Sequence, residues 1–141
     1  MTSNILVPFF GMMLLTLVVW IWMYIVRISW ILENNISAEK LKSPEALNQI
    51  IPEAINRPAN NFKNLFELPV LFYITCLYLI FLQQTSQIQV YCAYGFFLMR
   101  VFHSLIHCTT NIVIWRFTAY LISSICLWMI IINIGLSTFG L

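Results

Sequence analysis

Two sets of polar residues sit at helical spacing inside sequence that is otherwise apolar. Asn60, Asn64 and Glu67 are four and three residues apart, and Arg100, His103 and His107 are three and four apart. Each set therefore shares one face of a helix. Ionisable groups in membrane segments cost about 2.5 to 3.5 kcal/mol each at mid-helix and usually face a bundle interior or a wet cavity. Arg27, Arg100 and Arg116 lie toward the same end of the apolar runs. A cationic setting of this kind suits carboxylates and phosphates. Its low dielectric also favours a thiolate or another developing anion, while the surrounding helices give lipid-side access to apolar molecules. The residues point to a cavity where an anionic, water-soluble ligand meets a lipophilic one. The competing reading is structural, with the polar groups stapling helices together at about 0.6 to 2 kcal/mol per contact; six polar residues on two facing stripes, with four arginines on one side, exceed it.

The elements that position these residues follow from composition. Of 141 residues, 61% are hydrophobic and only 9% charged, which excludes an ordinary soluble domain. Crossing the hydrocarbon core takes about 20 apolar residues, and four runs qualify, over about 5–31, 64–82, 89–107 and 117–137. The expected fold is an all-α integral membrane four-helix bundle in a single domain over 1–141. The first run is too long and apolar for a secretory signal peptide and is expected to stay in the mature chain. Arg27, Lys40, Lys42, Arg57 and Lys63 flank or fill the 33–63 connection, and Arg116 lies in the connection between the third and fourth runs. Excess basic residues mark cytoplasmic loops, so both connections are expected in the cytoplasm and both termini outside. The 33–63 segment, with Pro44, Pro52 and Pro58, reads as a solvated loop carrying a short surface helix that opens at Ser43-Pro44. The short turn between the second and third runs predicts antiparallel neighbours. Their stripes would then lie at similar depth, with Glu67 and Arg100 able to meet as a buried ion pair and Lys63 able to pair with Glu67. Pro69 cannot donate to the Leu65 carbonyl and predicts a kink beside Glu67.

Several chemistries lack their residues. His103 and His107 have a spacing that metals use, but a third ligand is wanted and no His-Glu-x-x-His motif exists, so no metal is expected. The chain has no Asp for a Ser-His-Asp set, no glycine-rich phosphate loop and nothing that supports nucleic-acid binding. Cys76, Cys92, Cys108 and Cys126 stand singly, as small apolar fillers do.

The runs Asn60-Asn-Phe-Lys-Asn-Leu-Phe-Glu-Leu-Pro-Val-Leu-Phe-Tyr73 and Arg100-Val-Phe-His-Ser-Leu-Ile-His107 together resemble the MAPEG superfamily, the membrane-associated proteins in eicosanoid and glutathione metabolism. The family's second helix carries an Arg, an Asn four later, a Glu three after that and a nearby Pro; Asn64, Glu67 and Pro69 match the last three. On the third helix an Arg followed three later by an aromatic or His matches Arg100 and His103. With the four-helix plan the likeness extends over nearly the whole chain. Two positions depart: Asn60 stands where the hallmark Arg is expected, and His107 stands where characterised members carry a ligand-contacting tyrosine.

This resemblance implies a homotrimer binding glutathione between subunits near the cytoplasmic face. Arg27, Asn60, Asn64, Glu67, Arg100, His103 and His107 would form the glutathione site, and Arg116 would be the catalytic, thiolate-stabilising arginine. The expected function is a membrane-bound glutathione-dependent transferase or peroxidase of the microsomal glutathione transferase type, with glutathione as co-substrate and a lipophilic electrophile or hydroperoxide as partner. The alternative is a lipid or small-molecule binding membrane protein of the same fold without catalysis. A transporter role lacks the discontinuous helix pair that marks a midplane site. Short loops and an Ile- and Asn-rich composition suggest a bacterial plasma membrane.

Overall fold

The computed structural model describes residues 3–83 and 85–140. Its helices are α1 (Ser3–Glu33), α2 (Pro44–Ile50), α3 (Glu53–Asn64), α4 (Leu68–Leu82), α5 (Gln87–Cys108) and α6 (Val113–Phe139), with one 3-10 turn at Ala38–Leu41. Together α1, the α3–α4 run, α5 and α6 make the all-α four-helix bundle. The stretches Asn4–Glu33, Glu53–Leu82 and Val113–Thr138 are long and apolar enough to cross a membrane. At 22 residues, α5 reaches about 33 Å, and its last three turns hold Arg100, His103 and His107.

The outer surface is apolar. Phe10, Leu14, Ile25, Phe81, Tyr91 and Ile114 are all exposed, which suits helices whose backbone groups are satisfied internally and whose side chains face lipid. Inside, Met12, Val19, Phe72, Leu79, Ala93, Phe96, Leu127 and Ile130 form the buried core. Small residues let the helices approach: a Cβ on Gly11 of α1 would stand 2.7 Å from Cζ of Phe97 on α5. Polar contacts fix the register at the opposite end from the cavity described below. Ser86 and Gln89 form a reciprocal capping box at the start of α5, and Gln89 Nε2 also donates to Asn133 Oδ1 of α6 at 2.8 Å.

Three expectations need correction. The 33–63 segment is not mainly a loop. Its short surface helix is present as α2, capped by Ser43 Oγ accepting from Ala46 N, but residues 53–64 form a second helix, α3, packed against α1 and α5. The second long element starts not at Asn64 but at Glu53, and it is interrupted at 65–67, where Glu67 leaves helical geometry (φ −97°, ψ −108°) and Pro69 falls in the first turn of α4. A proline in that turn costs no helix hydrogen bond. Finally, α4 and α5 are not close backbone neighbours. The backbone of α5 runs close to α6, α1 and α3, whereas α4 lies against α1 and α6. The two meet through large side chains, with Phe72 stacked on Phe96 at 4.4 Å between ring centroids.

Candidate functional site

The polar stripes converge because α3 docks through asparagines. Asn56 Oδ1 accepts from Arg27 of α1. Asn61 accepts from Ser104 Oγ and donates to Cys108 Sγ, both at 3.4 Å. Asn64 Nδ2 lies 3.4 Å from His107 Nδ1. Beyond them, Arg57 Nη1 donates to the Thr109 carbonyl, and Asn111 Nδ2 donates to Glu53 Oε1 at 3.1 Å. The neutral bonds are worth about 1 kcal/mol each, and those involving Arg27, Arg57 and Glu53 about 1.5 to 3 kcal/mol, less where they are exposed. In sum they bring the end of α3 against the end of α5 and the 109–112 turn.

This docking leaves a cavity of about 460 Å³ lined by Asn60, Lys63, Asn64, Glu67, His103, His107, Val113, Arg116, Phe117 and Tyr120. It lies where α3 breaks into α4, α5 ends and α6 begins, on the side of the bundle that holds the long connection. Asn60, Asn64, Glu67, His103, His107 and Arg116, six of the eight residues expected to form a site, line it. Arg27 and Arg100 do not. Arg27 is engaged with Asn56. Arg100 is fully buried behind the cavity wall, its guanidinium 4.8 Å from the Tyr120 ring centroid and 5.6 Å from that of Phe96. None of its three nitrogens has a protein hydrogen-bond partner.

The expected Glu67–Arg100 ion pair is therefore not formed, and neither is a Lys63–Glu67 pair. Among the described residues one ion pair is present, Arg57 with Glu53 at 3.8 Å. Glu67 is exposed on the cavity rim, and because the chain leaves helical geometry at that residue, the helical register that would have aimed it at Arg100 does not hold. Arg100 instead uses the faces of two aromatic rings, a favourable setting for a planar cation.

The two histidines are held in different ways. His103 is 2% exposed; its Nδ1 donates to the Arg116 carbonyl at 2.9 Å, and its Nε2 is buried without a protein partner. The rings of His103 and His107 stand perpendicular with centroids 5.5 Å apart. Arg116 is fixed from one side by Asn111 Oδ1, which accepts from Nη1 at 2.6 Å. Among the described residues no three His, Cys or Glu side chains come together to hold a metal ion.

Sequence reasoning did not assign Lys63, Val113, Phe117 or Tyr120 to the site. Tyr120 lies four residues after Arg116 and shares its helix face, so spacing offered a signal for it. Lys63 and Phe117 adjoin assigned residues, but nothing in the spacing separates them from solvated or lipid-facing neighbours. On another side of α5, Gly11, Leu15, Val19 and Trp22 of α1 and Phe97 and Val101 of α5 line an apolar crevice of about 280 Å³.

The architecture and site define an integral membrane helical bundle with a polar, cation-bearing cavity at one end. A protein-family model described as the MAPEG family matches residues 5–136, and the chain belongs to that family. No curated protein and no solved structure matches it.

Proposed function

We propose that the cavity binds glutathione and that the protein is a glutathione-dependent transferase or peroxidase acting on lipophilic electrophiles. The observation that carries this reading is the convergence of Asn60, Asn64, Glu67, His103, His107 and Arg116, from three separate segments, on one cavity. Its volume falls within the roughly 300 to 1,000 Å³ usual for small-molecule sites. The lining also suits the ligand's chemistry. Lys63 and Arg116 are cations for its carboxylates and thiolate, Glu67 is an anion for its ammonium, and Asn60 and Asn64 can donate to and accept from its peptide groups. Arg116 has the catalytic role: held by Asn111, it presents a fixed charge that stabilises the thiolate through the attack. In the homotrimer that this reading carries with it, a neighbouring subunit closes the cavity from the lipid side. The excess of basic residues in the two connections supports a cytoplasmic orientation for the cavity, and the reading takes the membrane to be a bacterial plasma membrane.

The test is glutathione binding to the protein purified in detergent, read with the ultraviolet absorbance of the thiolate near neutral pH, for wild type and Arg116→Ala. Saturable binding with a thiolate signal that Arg116→Ala abolishes is the expected result. Absence of binding at millimolar glutathione, with tight binding of lipid and no turnover, would replace this reading with that of a lipid-binding protein.

A further inference from the structure

The two cavity histidines are fixed in opposite tautomers. A carbonyl oxygen only accepts, so the contact of His103 Nδ1 with the Arg116 carbonyl at 2.9 Å puts the ring hydrogen on Nδ1. A neutral imidazole has one N–H, and His103 Nε2 is therefore a bare lone pair. An amide nitrogen only donates, so Asn64 Nδ2 facing His107 Nδ1 at 3.4 Å makes that Nδ1 the acceptor and leaves the hydrogen of His107 on Nε2. One ring thus carries an acceptor at Nε2 and the other a donor.

The acceptor lacks a protein partner. His103 lines the cavity, is 2% exposed and has no hydrogen bond at Nε2. A buried acceptor left unsatisfied is destabilising, and a ligand carrying an X–H group at that point would relieve it. The charged groups facing this ring are Arg100 from α5, Arg116 from α6, and Lys63 and Glu67 from the α3–α4 break, with His107 and Tyr120 as further titratable neighbours. Formed alone, an imidazolium would face three of those cations. Formed together with an anion in the cavity, it adds no net charge.

We propose that His103 is the proton acceptor that ionises the bound thiol, which rests on the glutathione reading above and adds a base to it. The S–H bond breaks with its electron pair left on sulfur, and the proton forms a new N–H bond at His103 Nε2. The imidazolium so formed keeps its Nδ1–H bond to the Arg116 carbonyl. The thiolate stays beside the Arg116 guanidinium and the Nε2–H of His107. No proton leaves the site, because thiol and imidazole become thiolate and imidazolium.

That proton balance is the test. An ordinary thiol is mostly protonated at pH 7, with a pKa of about 8.5. Ionisation driven by cations alone would therefore release about one proton to the buffer for each thiolate formed. Calorimetric titration of the wild-type protein with glutathione, in two buffers of different ionisation enthalpy, counts released protons, and ultraviolet absorbance counts thiolate. Thiolate formation without proton release is expected for wild type. In His103→Asn the amide keeps a donor toward the Arg116 carbonyl and lacks the Nε2 position. This variant should bind S-methylglutathione as wild type does, while conjugation of a model electrophile falls by about 10²-fold. One proton released per thiolate by wild type, or unchanged conjugation by His103→Asn, overturns the base and leaves the glutathione reading standing. Failure of the wild type to bind either glutathione or S-methylglutathione overturns both.

Discussion

Arg116 Nη1 donates to Asn111 Oδ1 at 2.6 Å, and Asn111 Nδ2 donates to Glu53 Oε1 at 3.1 Å. The cation at the cavity is thus tied through one side chain to the first turn of α3. Asn111 has a left-handed backbone, φ 53°, which asparagine tolerates better than most residues. That conformation sets its amide between the two partners.

Asn111→Gly keeps the positive φ without strain and removes the tether. A hydrogen bond to a charged group is worth about 1.5 to 3 kcal/mol; partial exposure puts this one near the lower end, so about a tenfold loss of glutathione affinity is expected. Isothermal titration of the variant measures it, with circular dichroism confirming unchanged helix content. Unchanged affinity would mean that Arg116 holds its place without Asn111.

Arg100→Met removes a fully buried guanidinium whose nitrogens have no protein hydrogen-bond partner. A buried charge without hydrogen-bond partners is costly, so an apolar side chain of similar volume relieves that cost. Against this stands the loss of two cation–π contacts, of which the closer, to Tyr120, is worth about 0.5 to 2 kcal/mol. The expected outcome is a melting temperature in detergent equal to or above that of wild type. A clear fall would show that Arg100 contributes more to the bundle than its ring contacts.

The long helices and most of the residues lining the cavity were legible because membrane spans announce themselves by length and apolarity, and because stripes at spacings of three and four survive any detail of packing. What stayed hidden depended on partners. The segment 53–64 does carry a short apolar stripe, Ile55, Ala59 and Phe62 at spacings of four and three, but Pro52 and Pro58 mask it. Its buried face also takes Asn56 and Asn61, which read as loop until Arg27, Ser104 and Cys108 are seen bonding to those asparagines. Arg100 looked in need of a carboxylate because depth alone cannot show that Tyr120 and Phe96 supply ring faces. Glu67 looked inward because spacing assumes an unbroken helix, and the chain breaks at that residue.

The close approach of α1 and α5 at Gly11 gives a second stability test. A methyl group there would sit 2.7 Å from the Phe97 ring, so the ring must move. Gly11→Ala is expected to destabilise the bundle by about 1 to 3 kcal/mol. Adding Phe97→Leu should return part of that loss, because the shorter side chain makes room. Thermal melts of the two single variants and the double variant give the coupling; strictly additive effects would mean that the clash is relieved elsewhere.

Glu67 offers a test that separates binding from folding. It lines the cavity, is exposed, and accepts no side-chain hydrogen bond or ion pair among the described residues. Its side chain does not cap α4 either, so Glu67→Gln should leave the melting temperature unchanged. If the carboxylate meets the ammonium group of glutathione, an exposed pair of this kind contributes about 0.2 to 1 kcal/mol, and affinity should fall by up to about fivefold. The Debye length shrinks from about 10 Å at 0.1 M salt to about 3 Å at 1 M, so the difference between variant and wild type should narrow as salt is raised. N-acetylglutathione, which lacks the positive charge, should bind wild type and Glu67→Gln alike at every salt concentration. Equal affinities of both proteins for glutathione at low salt would remove Glu67 from the ligand's ammonium end, while leaving the roles of Arg116 and His103 untouched.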